Sequence, residues 1–287
     1  MSIIISALSP RQIAGLSTTA IASLSTTSVG ALSTSQVAAL AATQVNALVS
    51  TDLQYLVTTQ IQALSPSVIS HLLTLQIQNF LDTQIAELTA TQVGVLTATE
   101  LGALSSTELQ AFTTTQANAL TSTQLRGLTT TVLGNFTTTQ IGALSTAQVQ
   151  GLTTTQLNAV SATVLDAIDV TKLSTTQLKG LTTTSIGQLT ETQVGALTSA
   201  EVALLSTNQI GVLTSTEVQA FTTTQANAIT STQLRGLTIT VRGNFRGREI
   251  AEHCGGEAAK LRRGDRIRLR GRERLHLGRG QSADLGG

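Results

Sequence analysis

Residues 136–152 read Phe-Thr-Thr-Thr-Gln-Ile-Gly-Ala-Leu-Ser-Thr-Ala-Gln-Val-Gln-Gly-Leu, which is an eight-residue repeat written twice, followed by the first residue of a third copy. The consensus is Leu-Ser/Thr-x-x-Gln-Ile/Val/Leu-x-Ala/Gly. We number its positions from 0, the leucine, to 7, the small residue. Position 0 recurs at every eighth residue from Leu8 to Ile168 and again from Leu173 to Phe245, and it is always apolar. This row therefore predicts a continuous core.

Each repeat has the signature of a helix N-terminus. A Ser or Thr at position 1 and a Gln or Glu at position 4 form a capping box, in which each side chain accepts a hydrogen bond from a backbone amide of the other residue. The apolar residues at positions 0 and 5 occupy the two positions of a hydrophobic staple. The two prolines, Pro10 and Pro66, both follow a serine at position 1. They would each be the first residue of a helix, where proline is favoured.

A single long helix does not fit the spacing of the apolar residues. Eight residues at 100° each overshoot two turns by about 80°, so the leucine row would wind around a continuous helix. The apolar spacing of five and then three also lacks the alternation of a strand. Helices this short need neighbours. We therefore predict an all-α, elongated solenoid or superhelix of very short capped helices, one per repeat, with positions 0 and 5 inside and threonine outside.

A β-solenoid with threonine-rich faces is the alternative fold, because threonine and valine favour strands. The composition supports an ordered chain in either case. Hydrophobic residues make up 41 % of the sequence and charged residues 11 %, whereas a disordered chain of this polarity carries more charge and less leucine. The single cysteine, Cys254, excludes a disulfide framework within the chain.

The composition changes after Phe245. Residues 1–241 carry five basic and ten acidic residues, whereas residues 242–287 carry twelve basic and six acidic residues. We divide the chain into a repeat array, residues 1–245, with a shortened unit at residues 168–173, and a basic Gly/Arg-rich tail, residues 246–287. The tail is either a polar cap on the stack or a frame-slipped copy of the repeat. We expect it to be dispensable for the stability of the array, because its helix starts lack capping hydroxyls.

The least regular part of the array is residues 41–85. Apolar, aromatic and histidine side chains stand there at positions that are usually small or Ser/Thr, namely Val49, Tyr55, Val57, His71, Leu73 and Leu81. A binding protein should present such residues on one face, whereas a spacer should have none. Residues 41–85 are therefore the candidate binding region.

No constellation of catalytic or ligand-binding residues is evident. His253 and Cys254 are adjacent and lack the spacing and further partners of a metal site. Asp166 and Asp169 lack a second group for acid–base chemistry, and Gly255-Gly256 is not followed by the Lys-Ser/Thr of a phosphate loop. We expect no catalytic, cofactor-binding or metal-binding residues and no enzymatic activity. The tail has no aromatic ring for base stacking, so we expect no specific nucleic-acid partner.

The N-terminus, Met1-Ser-Ile-Ile-Ile, lacks the basic region of a classical signal peptide, and no stretch is long and apolar enough to span a membrane. The octads, as in Leu144-Ser-Thr-Ala-Gln-Val-Gln-Gly, resemble octapeptide-repeat tracts of large bacterial surface and adhesin-like proteins over residues 8–245. The resemblance implies a structural or interaction role as a spacer, stalk or adhesive segment. It also implies a location at the cell surface or secretion as part of a larger protein, with a protein or surface partner.

Threonine runs suggest a second function. Thr-Thr-Thr occurs at residues 113–115, 129–131 and 137–139, among other places. A regular threonine array could bind ice or another ordered surface, as some antifreeze proteins do by resemblance. Residues such as Ala90 and Pro66 interrupt this pattern. We therefore place the ice- or surface-binding array second to the structural or interaction role.

Overall fold

The computed structural model describes residues 5–237, which form short helices and contain no β-strand. A 3₁₀ turn, Ile5–Ala7, precedes the first α-helix. The first twenty α-helices are α1 Pro10–Ala14, α2 Thr18–Ala22, α3 Thr26–Gly30, α4 Thr34–Ala38, α5 Ala42–Val45, α6 Ser50–Gln54, α7 Thr58–Ala63, α8 Pro66–Ile69, α9 Thr74–Gln78, α10 Asp82–Ala86, α11 Ala90–Val93, α12 Ala98–Ala103, α13 Ser106–Ala111, α14 Thr114–Ala119, α15 Ser122–Gly127, α16 Thr130–Gly134, α17 Thr138–Gly142, α18 Thr146–Gly151, α19 Thr154–Ala159 and α20 Ala162–Ala167. The remaining α-helices are α21 Thr175–Gly180, α22 Thr183–Ile186, α23 Glu191–Ala196, α24 Ser199–Leu204, α25 Thr207–Gly211, α26 Ser215–Gln219, α27 Thr223–Asn227 and α28 Ser231–Gly236.

A capping box defines where most of the helices begin. In α18 the Ser145 hydroxyl accepts from the Gln148 amide, and the Gln148 Oε1 accepts from the Ser145 amide at 2.8 Å. Pro10 and Pro66 are the first residues of α1 and α8. The prediction of one short capped helix per repeat is therefore confirmed for the described residues. The β-solenoid alternative is wrong for them.

The helices pack as a solenoid in which many of them contact the third helix along the chain. The chain divides into two compact units, Met1–Gln177 and Leu178–Gly287. In the first unit α4 packs on α7, α11 on α14 and α15 on α18. In the second unit α22 packs on α25, and α25 on α28. One superhelical turn within each unit therefore contains between three and four repeats.

Positions 0 and 5 form the core, as the pattern predicts. Leu144 and Val149 are 2 % and 1 % exposed. Leu8 and Leu16 in the first turn are only half-buried, whereas Ile13 is fully buried. The position-0 side chain therefore packs mainly on the preceding turn. The position-5 side chain does not depend on a preceding turn for its burial.

Small residues at position 7 allow the turns to approach closely. Gly151 ends α18, which packs on α15. A Cβ atom added to Gly151 would lie 2.6 Å from the Cβ atom of Ser122 and 2.8 Å from its carbonyl oxygen. The backbones at this crossing are therefore too close for any side chain on residue 151.

The shortened unit contains a 3₁₀ turn, Val170–Lys172, in place of an α-helix. Asp169 caps it and accepts from the Thr171 amide at 3.0 Å. The hydrogen bond from the Thr171 hydroxyl lowers the pKa of Asp169 below its usual 3.8. Phe245 and the predicted tail, residues 246–287, lie outside the described residues.

Candidate functional site

Many position-4 glutamines form hydrogen bonds both within their own helix and to the preceding superhelical turn. In α19 the Oε1 atom of Gln156 accepts from the Thr153 amide at 2.7 Å, within its own capping box. Its Nε2 atom donates to the carbonyl oxygens of Leu125 and Leu128, each at 2.8 Å, in the preceding turn. Those carbonyls end helix α15, where backbone acceptors have no partner within the helix. One side chain therefore caps its own helix and satisfies the end of another.

We call this arrangement the glutamine ladder. In the first unit it joins the following glutamines to the position-0 carbonyl 28 residues earlier: Gln36, Gln44, Gln60, Gln76, Gln84, Gln92, Gln116, Gln124, Gln140 and Gln148. In the second unit Gln209, Gln225 and Gln233 do the same. The ladder is buried and runs through both units, so it belongs to the scaffold.

Some position-4 residues differ from glutamine. Glu100 and Glu108 are buried and accept from the amides of Thr97 and Ser105, each at 2.6 Å. A carboxylate has no N–H group to donate to the preceding turn. These units therefore keep the capping-box bond and lack the bonds from position 4 to the preceding turn.

Asp52 is the most unusual residue at position 4. It is 2 % exposed, and its Oδ2 atom has no hydrogen-bond partner among the described residues. Burial raises the pKa of the Asp52 carboxyl above 3.8 and outweighs a hydrogen bond from the Val49 backbone. The aspartate is one methylene shorter than glutamate. It stands in α6, within the candidate region of residues 41–85.

The same region lacks capping hydroxyls. The α-helices of residues 5–237 begin after a Ser or Thr, apart from five whose cap residues are apolar: α5 (Ala41), α6 (Val49), α7 (Val57), α9 (Leu73) and α10 (Leu81). Only α8, which begins after Ser65, interrupts this group. The loss of capping hydroxyls is therefore confined to one segment of the array.

These helices close their first turn in another way. The Asp52 amide donates to the Val49 carbonyl at 2.9 Å, and the Gln76 amide donates to the Leu73 carbonyl at 2.8 Å. Elsewhere, as in α18, the corresponding amide bonds to a hydroxyl. A backbone bond across three residues, as in a 3₁₀ turn, replaces the missing oxygen. The apolar cap side chain is thus released from any capping role.

The released side chains are exposed to solvent. Their exposed fractions, with those of two neighbours, are Val49 53 %, Tyr55 58 %, Val57 57 %, Leu73 58 %, Leu75 64 % and Leu81 43 %. Among the described residues, Val212 at 40 % is the other exposed large hydrophobic side chain. We call the six residues the apolar cap surface.

Hydrogen bonds join the starts of α9 and α10 to the preceding superhelical turn. The Nε2 atom of Gln76 in α9 donates to the carbonyl oxygen of Leu48, which precedes Val49, at 3.1 Å. Asn46 accepts from the Leu73 amide at 3.0 Å. These bonds join the start of α9 to the segment between α5 and α6 in the preceding turn.

The start of α10 forms the same kind of bond to the preceding turn. The Nε2 atom of Gln84 in α10 donates to the carbonyl oxygen of Leu56, which precedes Val57, at 2.7 Å. This bond joins the start of α10 to the start of α7 in the preceding turn. With three to four repeats in each superhelical turn, the consecutive helices α6 and α7 face different directions, and so do α9 and α10. Tyr55 stands in the loop between α6 and α7.

The charge near the apolar cap surface is negative. Asp82 follows Leu81, and Glu87 ends α10; both are exposed. No lysine or arginine occurs in residues 12–125. The ring of His71 lies with its Nδ1 atom 2.8 Å from the Ser67 carbonyl oxygen. The surface therefore combines apolar side chains with carboxylates.

The other candidate residues of the sequence do not form a site. Asp169 pairs with Lys172 at 3.8 Å, and Asp166 lies in α20. His253, Cys254, Gly255 and Gly256 lie outside the described residues. Within residues 5–237 no three His, Cys, Asp or Glu side chains are grouped as a metal site would require. No helix in this range has the length and apolarity to cross a membrane.

Sequence reasoning missed two parts of this arrangement. It assigned the position-4 glutamine to its own helix only, since the carbonyls it binds are 28 and 31 residues away. It also overlooked Leu75, which is the most exposed of the six apolar residues. An apolar residue at position 3, where the repeat is normally polar, was the available signal.

Comparison with known families supports a repeat tract. The sequence model of the ALTTAQ repeat family matches residues 5–42. This match covers the first repeats, so that part of the chain is similar to the ALTTAQ repeat. A comparison with curated proteins gave no match.

Proposed function

We propose that this chain is a non-catalytic interaction protein, in which a solenoid scaffold presents the apolar cap surface to a partner. The supporting observation is the grouping of the five helices that lack a capping hydroxyl. We further propose, from the resemblance of the octads, that the chain acts at a cell surface or is secreted as part of a larger bacterial protein.

The apolar caps reduce the stability of the scaffold. Replacing a capping hydroxyl by an apolar side chain typically costs about 1 kcal/mol. Exposed apolar side chains that cluster mark interaction sites. A spacer would gain nothing by losing its caps in one segment. Departures from local rules without structural gain are expected at functional sites, which favours an adhesive segment over a plain spacer.

The threonine array is the second hypothesis. Many threonine hydroxyls at position 1 accept from helix amides, as Thr153 does from the Gln156 amide at 3.1 Å. Hydroxyls engaged in this way are less available to an ice lattice. The ice-binding function thus has weaker support than the apolar surface.

The test restores the consensus caps. A variant with Val49→Thr, Val57→Thr, Leu73→Thr and Leu81→Thr should melt several degrees higher than the wild type, because it gains capping hydroxyls. It should also lose most of its binding of the uncharged fluorescent dye Nile red. Together, these two results would show that the apolar side chains support binding and do not contribute to the stability of the scaffold.

The matched control moves the same pattern 72 residues along the array. Thr121→Val, Thr129→Val, Ser145→Val and Thr153→Val should lower the melting temperature by several degrees. If the restored caps instead lowered the melting temperature, the apolar side chains would be structural, and the proposed function would be wrong.

A further inference from the structure

We propose that α6 is a pH-sensitive joint in the solenoid, which stays packed while Asp52 carries a proton and opens from the preceding turn when that proton is lost. The opening is local, because α5 and α7 stay packed on either side of α6. The switch does not depend on whether the apolar cap surface binds a partner. It follows from the bonds that α6 lacks and from the surroundings of its one charged side chain.

Of the five helices that lack a capping hydroxyl, α6 is also without a ladder bond. The other four each carry a position-4 glutamine whose Nε2 atom donates to the preceding turn: Gln44, Gln60, Gln76 and Gln84. A carboxylate at this position has no N–H group to donate. Among the described residues, the Leu24 carbonyl oxygen, 28 residues before Asp52, accepts no hydrogen bond. Two of the bonds that anchor other helices are therefore missing from α6.

The surroundings of the Asp52 carboxyl group favour its protonated form. Asp52 is buried, its Oδ2 atom has no hydrogen-bond partner among the described residues, and burial raises its pKa above 3.8. Burying an unpaired carboxylate is costly. A proton removes the charge and turns one oxygen into a donor. In the open form the carboxylate returns to water, so loss of the proton favours opening.

No other charged side chain lies in the helices around α6. Helix α3 of the preceding turn packs on α6, and the Nε2 atom of Gln54 in α6 donates to the Asn79 carbonyl oxygen, which follows α9, at 3.3 Å. Helices α3, α5, α7 and α9 contain no Asp, Glu, Lys, Arg or His. In residues 12–70 the titratable side chains are Asp52 and Tyr55. In acidic solution, where phenols do not ionise, a single proton controls the joint.

The helices on either side limit the opening. Gln44 in α5 and Gln60 in α7 both bond to carbonyl oxygens of the preceding turn. Opening of α6 alone exposes Leu53, which is fully buried in the closed form. It also breaks the backbone hydrogen bonds of the Leu53 and Tyr55 amides. These two amides therefore report on the joint.

Hydrogen exchange of single amides in the full chain tests the joint. The rates are measured between about pH 4 and pH 7 and corrected for the intrinsic exchange of each amide. The protection of the Leu53 and Tyr55 amides should fall by at least about tenfold over this range. The open fraction rises up to about tenfold per pH unit wherever only the closed form holds the proton. Hydrogen-bonded amides in α5 and α7 should change by less than about threefold.

Two substitutions separate the proton from the fold. Asp52→Asn keeps the shape of the side chain and cannot ionise, so the protection of α6 should stay within about threefold across this pH range. Asp52→Gln supplies the ladder donor of the consensus. At about pH 7 it should protect the α6 amides at least about tenfold better than the wild type does. Glu87→Gln removes an exposed carboxylate outside α6 and should keep the pH dependence of the wild type.

Constant protection of the α6 amides in the wild type would overturn the switch. A fall in protection that persists in Asp52→Asn would also exclude it, because another group would then be responsible. A fall of equal size in α5, α6 and α7 would show cooperative unfolding of the turn and would contradict a local joint.

Discussion

The Nζ atom of Lys172 lies 2.7 Å from the carbonyl oxygen of Leu144, 28 residues earlier in the chain. This is the bond that a glutamine makes elsewhere, as between Gln156 and Leu128. The next glutamine, Gln177, binds the carbonyls of Val149 and Leu152, which are 28 and 25 residues away instead of 31 and 28. The shortened unit therefore omits three residues, while Lys172 keeps the bond to the position-0 carbonyl and Gln177 keeps its bonds to the preceding turn. The Lys172 ammonium group takes the place of the glutamine amide in this bond.

The substitution Gln156→Glu should destabilise the protein by about 2–4 kcal/mol. The carboxylate retains the capping-box acceptor, but it loses both donors to the preceding turn and faces two carbonyl oxygens. Urea denaturation followed by circular dichroism measures the loss. Gln12→Glu is the matched control, since Gln12 is exposed and has only capping-box bonds among the described residues. An equal effect of the two substitutions would show that the bonds between turns contribute nothing.

The reverse substitution, Glu100→Gln, should stabilise the protein by about 1–2 kcal/mol. It supplies the N–H donors that the ladder lacks at this buried position. The melting temperature at neutral pH is the measurement. Glu191→Gln, at an exposed site in the first turn of α23, should change the melting temperature little. A destabilised Glu100→Gln variant would contradict the role assigned to the amide.

Asp52 should make the stability depend on pH. Its pKa in the folded protein is raised above the 3.8 expected for the unfolded chain, so the folded state holds the proton more tightly. The stability that this proton contributes is present below pH 3.8 and is lost as the pH rises through the folded pKa. Asp52→Asn should therefore be more stable at neutral pH by about 1 kcal/mol. It should also flatten the pH profile of the melting temperature above pH 4, whereas Glu87→Gln should not.

Alanine at two glycines should have opposite effects. Gly151→Ala should destabilise the protein by about 1–3 kcal/mol, because the added Cβ atom collides with Ser122. Gly134→Ala should stabilise it by about 0.5–1 kcal/mol, since no atom lies within 4 Å of an added Cβ there and alanine favours a helix. Thermal denaturation of both variants checks the pair. A tolerated Gly151→Ala would mean that the turns can move apart.

Leu128→Asp should destabilise the neighbouring repeats by about 3–5 kcal/mol. Leu128 is 4 % exposed, and an unpaired charge in the core is among the most costly substitutions. Thr130→Asp should be nearly neutral, because an acidic residue in the first turn of α16 interacts favourably with the helix N-terminus. Hydrogen exchange of the amides near residue 128 should rise in the first variant only.

The local structure could be predicted from the sequence because the capping box and the staple act within a single octad. Ser145 and Gln148, for example, are three residues apart, and their hydrogen bonds follow from helix geometry alone. The bond from Gln156 to Leu128 could not be predicted. Its separation depends on how many repeats complete a superhelical turn, which is set by the packing of many side chains.

The candidate binding region could be located from the sequence, but its three-dimensional arrangement could not be predicted. The departures from consensus at Val49 and Leu73 are visible in the sequence, and they identify residues 41–85. That hydrogen bonds join the backbone segments next to these two residues depends again on the superhelical turn. The burial of Asp52 could not be predicted either, because a carboxylate at position 4 has the sequence pattern of an ordinary capping residue.

The glutamine ladder also bears on how the gene evolves. Each ladder glutamine binds carbonyl groups about 28 and 31 residues earlier, whichever copies of the repeat supply them. A tandem duplication of whole octads therefore inserts a segment whose bonds are already complementary to both flanks. Residues 110–136 and 219–245 are nearly identical, as duplication of a block of repeats would produce. The number of octads can therefore change without a new core, because each added octad brings the side chains that its neighbours bind.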